Sequence, residues 1–297
     1  MLTNYFSNAD NISFFERVLF IATGQNLTVD EYTFTGGGCI NQSIKITAGS
    51  DTFFLKWNES DAEDMFACEA RGLHLLQQNS RFKVPEVLGR GKIYDKHFLL
   101  LEFLSATAEN AAFTRNFGQY LAEMHGQSTT AFGLDHHNYI GTLPQINDWQ
   151  SSAAAFFIEC RLKPMAGRAF YEEKLTLDEY KRFDTLYQQL PNLLPDEPPA
   201  LLHGDLWSGN IMPVAGSTPA LFDPAVAYGL RESELAFTQL FGGIDYAFMH
   251  TYQEVFPLQP GFEERIALYN LYPLLVHLIL FGEGYKTTIL STLKRFV

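Results

Sequence analysis

Apolar positions along the chain follow two different periods. Over 8–23 they recur at helical spacing, with Phe14, Phe15, Val18 and Leu19 on one stripe and Ser13 with Glu16 in capping-box spacing. Over 32–46 the pattern changes to strand, glycine turn, strand, and after the turn Ala48-Gly49-Ser50-Asp51 a third strand is predicted over 52–57. Alternation there puts Phe54 and Lys56 on one face and Phe53, Leu55 and Trp57 on the other. Helical spacing returns over 62–78, where Met65, Ala70, Leu73 and Leu76 share a side. Val84-Pro85 ends that region, and 98–103 reads as a short apolar strand with Glu102 inside it.

Beyond Leu104 the helical period dominates. Segments 113–126, 149–169, 177–190, 232–241 and 261–281 carry it, and Thr176 with Glu179 forms a second capping-box candidate. In the exception, 200–222, two short apolar pieces at 200–202 and 220–222 flank a polar loop, which predicts a small β-sheet region set among helices. A strand-rich first third and a helical remainder, joined near 101–105 without a flexible linker, make the expected class α+β, with a boundary between 1–104 and 105–297.

Composition narrows the function. Hydrophobic residues at 46% and charged residues at 19% exclude disordered, collagen-like and coiled-coil classes for this 297-residue chain. A net charge of −13, with no basic patch, disfavours nucleic acid and anionic lipid as partners, because both polyanions are repelled. Cys39, Cys68 and Cys160 fall in no disulfide or zinc spacing, so a reducing compartment is expected. The apolar stretch 267–281 holds Asn270, Pro273 and His277 and falls short of the roughly 20 residues of a membrane span. With no basic and apolar leader in the first residues, the expectation is a cytoplasmic protein with no membrane partner.

The segment richest in candidate chemistry is His203-Gly204-Asp205-Leu206-Trp207-Ser208-Gly209-Asn210, followed by Phe222-Asp223-Pro224. Phosphoryl transfer from a nucleotide needs a carboxylate near the attacking hydroxyl and oxygen ligands for Mg²⁺. Asp205 can be that base, and Asn210 with Asp223 can hold the metal from two sides; Asp and Asn also cap turns, and that reading stays open. Lys56 inside an apolar strand needs a partner or solvent for its ammonium, and Glu69, one helix later, can orient it towards phosphate oxygens. A snorkelling lysine beside a solvated glutamate is the alternative. Gly36, Gly37 and Gly38 between two strands allow backbone N–H groups to approach phosphates, although a hairpin turn explains them equally well. Trp207 suits stacking on the apolar face of a sugar or packing in a core. His125 reads as packed, His136 and His137 as solvated, and Arg231, Glu232 and Glu234 as either substrate-side residues or a helix start.

The chain resembles the protein-kinase-like fold in its small-molecule branch, near aminoglycoside and choline phosphotransferases, and more narrowly the fructosamine kinase (ketosamine-3-kinase) family. The resemblance covers almost the whole chain. It rests on Gly-Gly-Gly-Cys-Ile-Asn at 36–41, His-Gly-Asp-Leu-Trp-Ser-Gly-Asn at 203–210, Phe-Asp-Pro-Ala at 222–225, Tyr228-Gly229, Glu234-Leu235-Ala236 and Phe241-Gly242-Gly243. It implies a two-lobed fold, with a small N-terminal lobe built on an antiparallel sheet and a mainly helical C-terminal lobe. It further implies ATP and Mg²⁺ as cofactors, Asp205 as proton acceptor, Asn210 and Asp223 as Mg²⁺ ligands and Lys56 with Glu69 as the phosphate-positioning pair. Glu102, Phe103 and Leu104 become the backbone hinge meeting adenine, and the reaction becomes phosphorylation of the 3-hydroxyl of a free or protein-bound ketosamine. A phosphotransferase for another amino sugar or alcohol and an inactive nucleotide-binding scaffold stand beside it as alternatives.

Two positions depart from the related patterns. Ser208 replaces a common Gly, which is tolerated unless the loop needs a positive φ, and Gly204 stands where protein kinases carry Arg. Cys39, directly after the glycines, reads either as a small residue that fits the hairpin or as a thiol that can meet an oxidant, glutathione or the same thiol of a second molecule, the last giving a homodimer.

Overall fold

Helix α1 (Asn8–Thr23) leads into β1 (Glu31–Phe34), β2 (Gln42–Ala48) and β3 (Asp51–Asn58) in the computed structural model, which describes residues 8–35, 41–59, 62 and 64–297. After α2 (Met65–Asn79) come β4 (Val87–Ile93) and β5 (Lys96–Glu102), and the five strands form one antiparallel sheet in the order β1-β2-β3-β5-β4. Period-two alternation divides its side chains between two cores. Phe53, Leu55, Trp57, Phe98 and Leu100 pack with Phe15, Val18 and Leu19 of α1, whereas Leu99 and Leu101 join Phe66, Leu73 and Leu76 of α2. Lys56 belongs by parity to the α2 side, as its register predicts.

The second core continues without a break into the C-terminal part. It runs through α3 (Ala111–His125), the hairpin β6 (Asn138–Ile140)–β7 (Leu143–Gln145), and a helical segment of α4 (Ala153–Phe156), a π-turn (Phe157–Leu162) and α5 (Lys163–Tyr171). Helix α6 (Leu177–Leu193) begins with the expected capping box, Thr176 Oγ1 accepting from Glu179 N–H and the Glu179 carboxylate accepting from Thr176 N–H. Four short strands follow, β8 (Ala200–Leu202), β9 (Ile211–Val214), β10 (Thr218–Leu221) and β11 (Ala227–Gly229), then α7 (Arg231–Leu240), α8 (Phe248–Val255), α9 (Phe262–Tyr269), α10 (Leu271–Phe281) and α11 (Lys286–Phe296). The two parts are tied by backbone bonds, Lys83 N–H to Pro219 O and Leu221 N–H to Lys83 O.

Several sequence expectations are corrected. Ser13 lies inside α1 and forms no cap; Glu16 instead accepts from the Val29 backbone N–H at 3.2 Å. The helix expected over 149–169 starts at Ala153, where Ser152 caps it, and its regular hydrogen bonding is interrupted by the π-turn. The small β-sheet region expected over 200–222 is present as two separate two-stranded sheets, β8 with β11 and β10 with β9. Asn270 divides the long apolar stretch into α9 and α10. Together these make Phe262–Phe281 a 20-residue run long and apolar enough to cross a membrane, where the sequence reading counted only 267–281. Leu271, Leu275 and Leu278 of that run are fully buried in the protein's own core. Strand β4, the β6–β7 hairpin, α8 and α11 have no counterpart among the expected elements, since short or mixed-polarity segments carry little periodicity.

Helices α3 and α8 cross closely at Gly118, where an added Cβ would lie 2.3 Å from Phe248 O. Gly118→Ala is expected to lower the urea midpoint. Overpacking against a backbone carbonyl costs about 1–3 kcal/mol, more than the gain of about 1 kcal/mol in helix propensity. An unchanged or raised midpoint would mean that the two helices separate freely.

Candidate active site

The loop after β8 is held by one buried carboxylate. Glu234 on α7 accepts from His203 N–H (3.1 Å) and Gly204 N–H (2.6 Å), and its Oε2 is 3.0 Å from His125 Nε2. His125 also meets the Tyr252 hydroxyl at 2.8 Å, so the acid sits in a closed polar cluster. Burial acts to raise the Glu234 pKa, but His125, His203 and the Gly204 N–H outweigh it and hold the carboxyl below its usual range. His203 pairs its Nε2 with Phe222 O (3.0 Å), and its Nδ1 accepts from Asp205 N–H, a tautomer fixed by these neighbours. Gly204 is required here: φ is +86° and a Cβ would lie 1.9 Å from Ala225 O.

This pinned loop presents Asp205 and Asn210. The Asn210 Nδ2 donates to Asp205 O (2.8 Å) and Oδ2 (3.0 Å), which commits its amide nitrogen and makes its carbonyl oxygen the atom that could meet a cation. Desolvation first, then the charge of Asp223, pushes the Asp205 carboxyl up to about 7 against the opposing Asn210 bond. Asp223, at φ +57° ahead of Pro224, lies where the chain turns back towards the sheet. There it meets Lys56: Nζ donates to Asp223 Oδ1 (2.8 Å) and to both Glu69 oxygens (2.9 and 3.0 Å). Burial alone would lower the Lys56 pKa, but the charges of Asp223 and Glu69 raise it above the ordinary lysine value. The snorkelling alternative is thereby excluded, since Lys56 is only 4% exposed and doubly paired.

These five residues line one cavity of about 600 Å³. Trp207 lines it too, half-buried, with its indole over Gly209, where a Cβ would come within 2.3 Å of the ring. Ser208 has ordinary backbone angles and fits because Gly243 opposite has no Cβ. Part of the lining is aromatic: His277 packs with Phe241 (4.5 Å between centroids), Phe281 and Tyr285. Burial lowers the His277 pKa.

Other sequence candidates fall elsewhere. Glu102 is paired with Lys83 (2.7 and 2.8 Å) and the Phe103 ring lies under the Lys45 ammonium; neither these two nor Leu104 lines the cavity. Gly36, Gly37, Gly38 and Cys39 lie outside the described residues. Cys68 and Cys160 are buried, as expected of helix-borne thiols. His125 is packed as expected, His137 is exposed, and His136 is less solvated than expected, bonding Asp135 at 2.6 Å. Arg231 clamps Glu197, Phe256 O and Pro257 O, while Glu232 binds Arg265 and the Tyr269 hydroxyl, so both serve packing. The sequence reading left Glu234 ambiguous and did not identify Gln145, Arg161 or Tyr272 as cavity residues. A charge inside an otherwise apolar helical stripe, as at Glu234 beside Leu235-Ala236 and at Arg161 beside Leu162, was the available signal.

Among the described residues no cluster of three or more His, Cys, Asp or Glu could hold a metal by itself. The Asn210 carbonyl and the Asp223 carboxylate are hard oxygen donors facing one cavity. That donor set fits a cation of the Mg²⁺ type, which takes few protein ligands and completes its shell with water and phosphate oxygens.

Comparison with known proteins agrees with this geometry. The sequence profile described as fructosamine kinase matches residues 13–297. A Synechocystis sp. protein assigned as a ketoamine kinase is 36% identical over 276 residues, 92% of each chain. The chloroplastic protein-ribulosamine 3-kinase of Arabidopsis thaliana is 33% identical, covering 93% of this chain and 86% of that one. A solved Thermobifida fusca structure assigned as a fructosamine-3-kinase superposes with TM-score 0.83 at 32% identity, over 94% of this chain and 96% of that one. An aminoglycoside phosphotransferase shares the two-lobed kinase-like fold, with TM-score 0.65 at 14% identity over 96% and 99% of the two chains. With its profile matched from residue 13 to the last and its loop and lysine pair in one cavity, the chain belongs to the fructosamine kinase family.

Proposed function

We propose that the protein transfers the γ-phosphoryl group of Mg-ATP to the 3-hydroxyl of a ketosamine, in a lobe arrangement divided at Leu104 and in the cytoplasm, where both cofactors abound. The observation that carries this reading is the convergence of Lys56, Glu69, Asp205, Asn210 and Asp223, up to 167 residues apart, on one cavity. Lys56, held by Glu69, positions phosphate oxygens. Asn210 and Asp223 would hold the cation, which when bound would neutralise charge on the phosphates. Asp205 accepts the proton of the acceptor hydroxyl as its oxygen bonds to the γ-phosphorus, and the bond to the β–γ bridging oxygen breaks with its electron pair leaving on ADP. Burial raises the Asp205 carboxyl above its usual range, which makes it a stronger base than a solvated carboxylate. Trp207 and the aromatic wall take the apolar face of the acceptor, and the backbone at Glu102–Leu104 meets adenine. The names of the relatives, a ketoamine kinase and a protein-ribulosamine 3-kinase, support the acceptor class. Retention of all five polar residues disfavours an inactive scaffold.

A Mg-ATP phosphorylation screen over fructoselysine, ribuloselysine, free ketoses, choline and aminoglycosides, with regiochemistry by NMR, tests the reading. Ketosamine 3-phosphate is the expected product; phosphorylation of another acceptor with ketosamines untouched would overturn it. Asp205→Asn is expected to reduce turnover by about 10²- to 10⁴-fold with little change in ATP affinity, and retention of more than about a tenth of the rate would remove Asp205 as base. Lys56→Arg should also impair turnover, since a planar fork does not replace a point charge between Glu69 and Asp223; wild-type kinetics would contradict the role. Glu234→Gln puts an amide donor against a backbone donor, so a stability loss of about 1–3 kcal/mol is expected. Thermal melting and kcat should fall together, and a variant changed in neither would show that the loop holds its shape without the carboxylate.

A further inference from the structure

Arg161 projects from the π-turn, a helical irregularity frequent at functional sites. It lines the same cavity and is only 7% exposed. Its partners are all neutral: Nη1 donates to Ile146 O (2.6 Å) and Cys160 O (2.9 Å), and Nη2 to Asn147 Oδ1 (3.0 Å). The guanidinium also faces the Phe156 ring at 4.4 Å and the Tyr272 ring at 5.5 Å. Lys56, the cavity's other strong cation, is neutralised by Glu69 and Asp223, whereas Arg161 has no carboxylate partner among the described residues. A guanidinium has five N–H groups. Acceptors on Ile146, Cys160 and Asn147 take three, leaving Nε–H and one Nη2 N–H without an acceptor among the described residues, and guanidinium N–H groups are the donors best suited to a carboxylate.

The surroundings are built to hold this fork still. Asn147 Nδ2 donates to Asn138 Oδ1, which also receives Gln145 Nε2, while the Gln145 carbonyl accepts from the Tyr272 hydroxyl. Tyr272, whose ring lies 5.5 Å from the Arg161 guanidinium, lines the same cavity as Asp205. A buried cation without a counter-charge is costly unless a ligand supplies one.

We propose that Arg161 is a subsite for the free carboxylate on the amine half of a small ketosamine, so that the acceptor preferred by this chain is a sugar joined to a free amino acid rather than to a protein side chain. The proposal rests on the ketosamine-kinase reading above. A dianionic phosphate would call for more donors than these two N–H groups provide, and an acidic substituent placed beside Asp205, Asp223 or Glu69 would be repelled.

The probes are N-(1-deoxyfructosyl)glycine and its uncharged glycinamide counterpart. Wild-type kcat/KM should favour the acid by at least about tenfold, carried by KM, because a buried polar site rejects an analogue that leaves it unpaired. In Arg161→Gln the acid-to-amide ratio should fall to about one. Because Arg161 also ties Ile146 and Asn147, circular dichroism checks the fold, and Arg161→Lys, which keeps charge without the fork, should show an intermediate ratio. Equal kcat/KM for acid and amide in the wild type overturns the subsite while leaving ketosamine phosphorylation intact. So does a ratio unchanged in a folded Arg161→Gln. Failure to phosphorylate either probe or any other ketosamine would instead remove the proposed function. Calorimetric binding of the two probes would then decide the subsite alone: at least tenfold tighter binding of the acid upholds it, and equal or undetectable binding of both overturns it.

Discussion

Everything at the catalytic loop depends on one buried acid accepting from two successive backbone N–H groups. Glu234 takes His203 and Gly204 on one side and the His125 ring on the other, so the loop cannot shift without leaving a charge unpaired inside α7 and α3. A carboxylate with that many donors stays ionised, and each of its bonds is charge-assisted and strong. The loop then inherits its shape: Gly204 turns at positive φ against Ala225, His203 reads Phe222 O, and Asp205 and Asn210 emerge as a hydrogen-bonded pair.

A second constraint joins the sheet to this loop. Strand parity sends Lys56 to the α2 face, where Glu69 receives it, and Asp223 completes the contact from the far end of the chain. The ammonium therefore serves as an electrostatic link between the first strands and the segment after β10. Removing either carboxylate would leave Lys56 with half its compensation in a site with little access to water. The backbone bonds of Lys83 to Pro219 and Leu221 fix the same two regions from outside the cavity, and the shared apolar core fills the space between them.

Small residues make room for large ones around the cleft. Gly209 lies under the Trp207 indole and Gly243 receives Ser208, so the positions of glycine in the loop follow from close approach rather than from flexibility. The polar network from Arg161 through Asn147, Asn138 and Gln145 to Tyr272 gives the cavity hydrogen-bonding groups beside its aromatic ones. The cavity thus combines an apolar surface with fixed polar groups, the usual construction of a small-molecule pocket.

The amino-acid sequence by itself determined what depends on local period and spacing. Alternation over 52–57 placed Lys56 on the correct face, Thr176 and Glu179 formed their capping box, and the wording around Asp205 and Asn210 marked the loop. The same spacing rule misread Ser13 and Glu16, because a cap exists only where the backbone leaves the helix, and α1 was already under way there. Only the tertiary structure decided that β8 pairs with β11, that Glu234 faces the loop while Glu232 faces Arg265, and that a π-turn aims Arg161 into the cavity. Periodicity states which face of an element is buried; the partner on that face is chosen by packing between segments distant in the chain, where no local pattern records it.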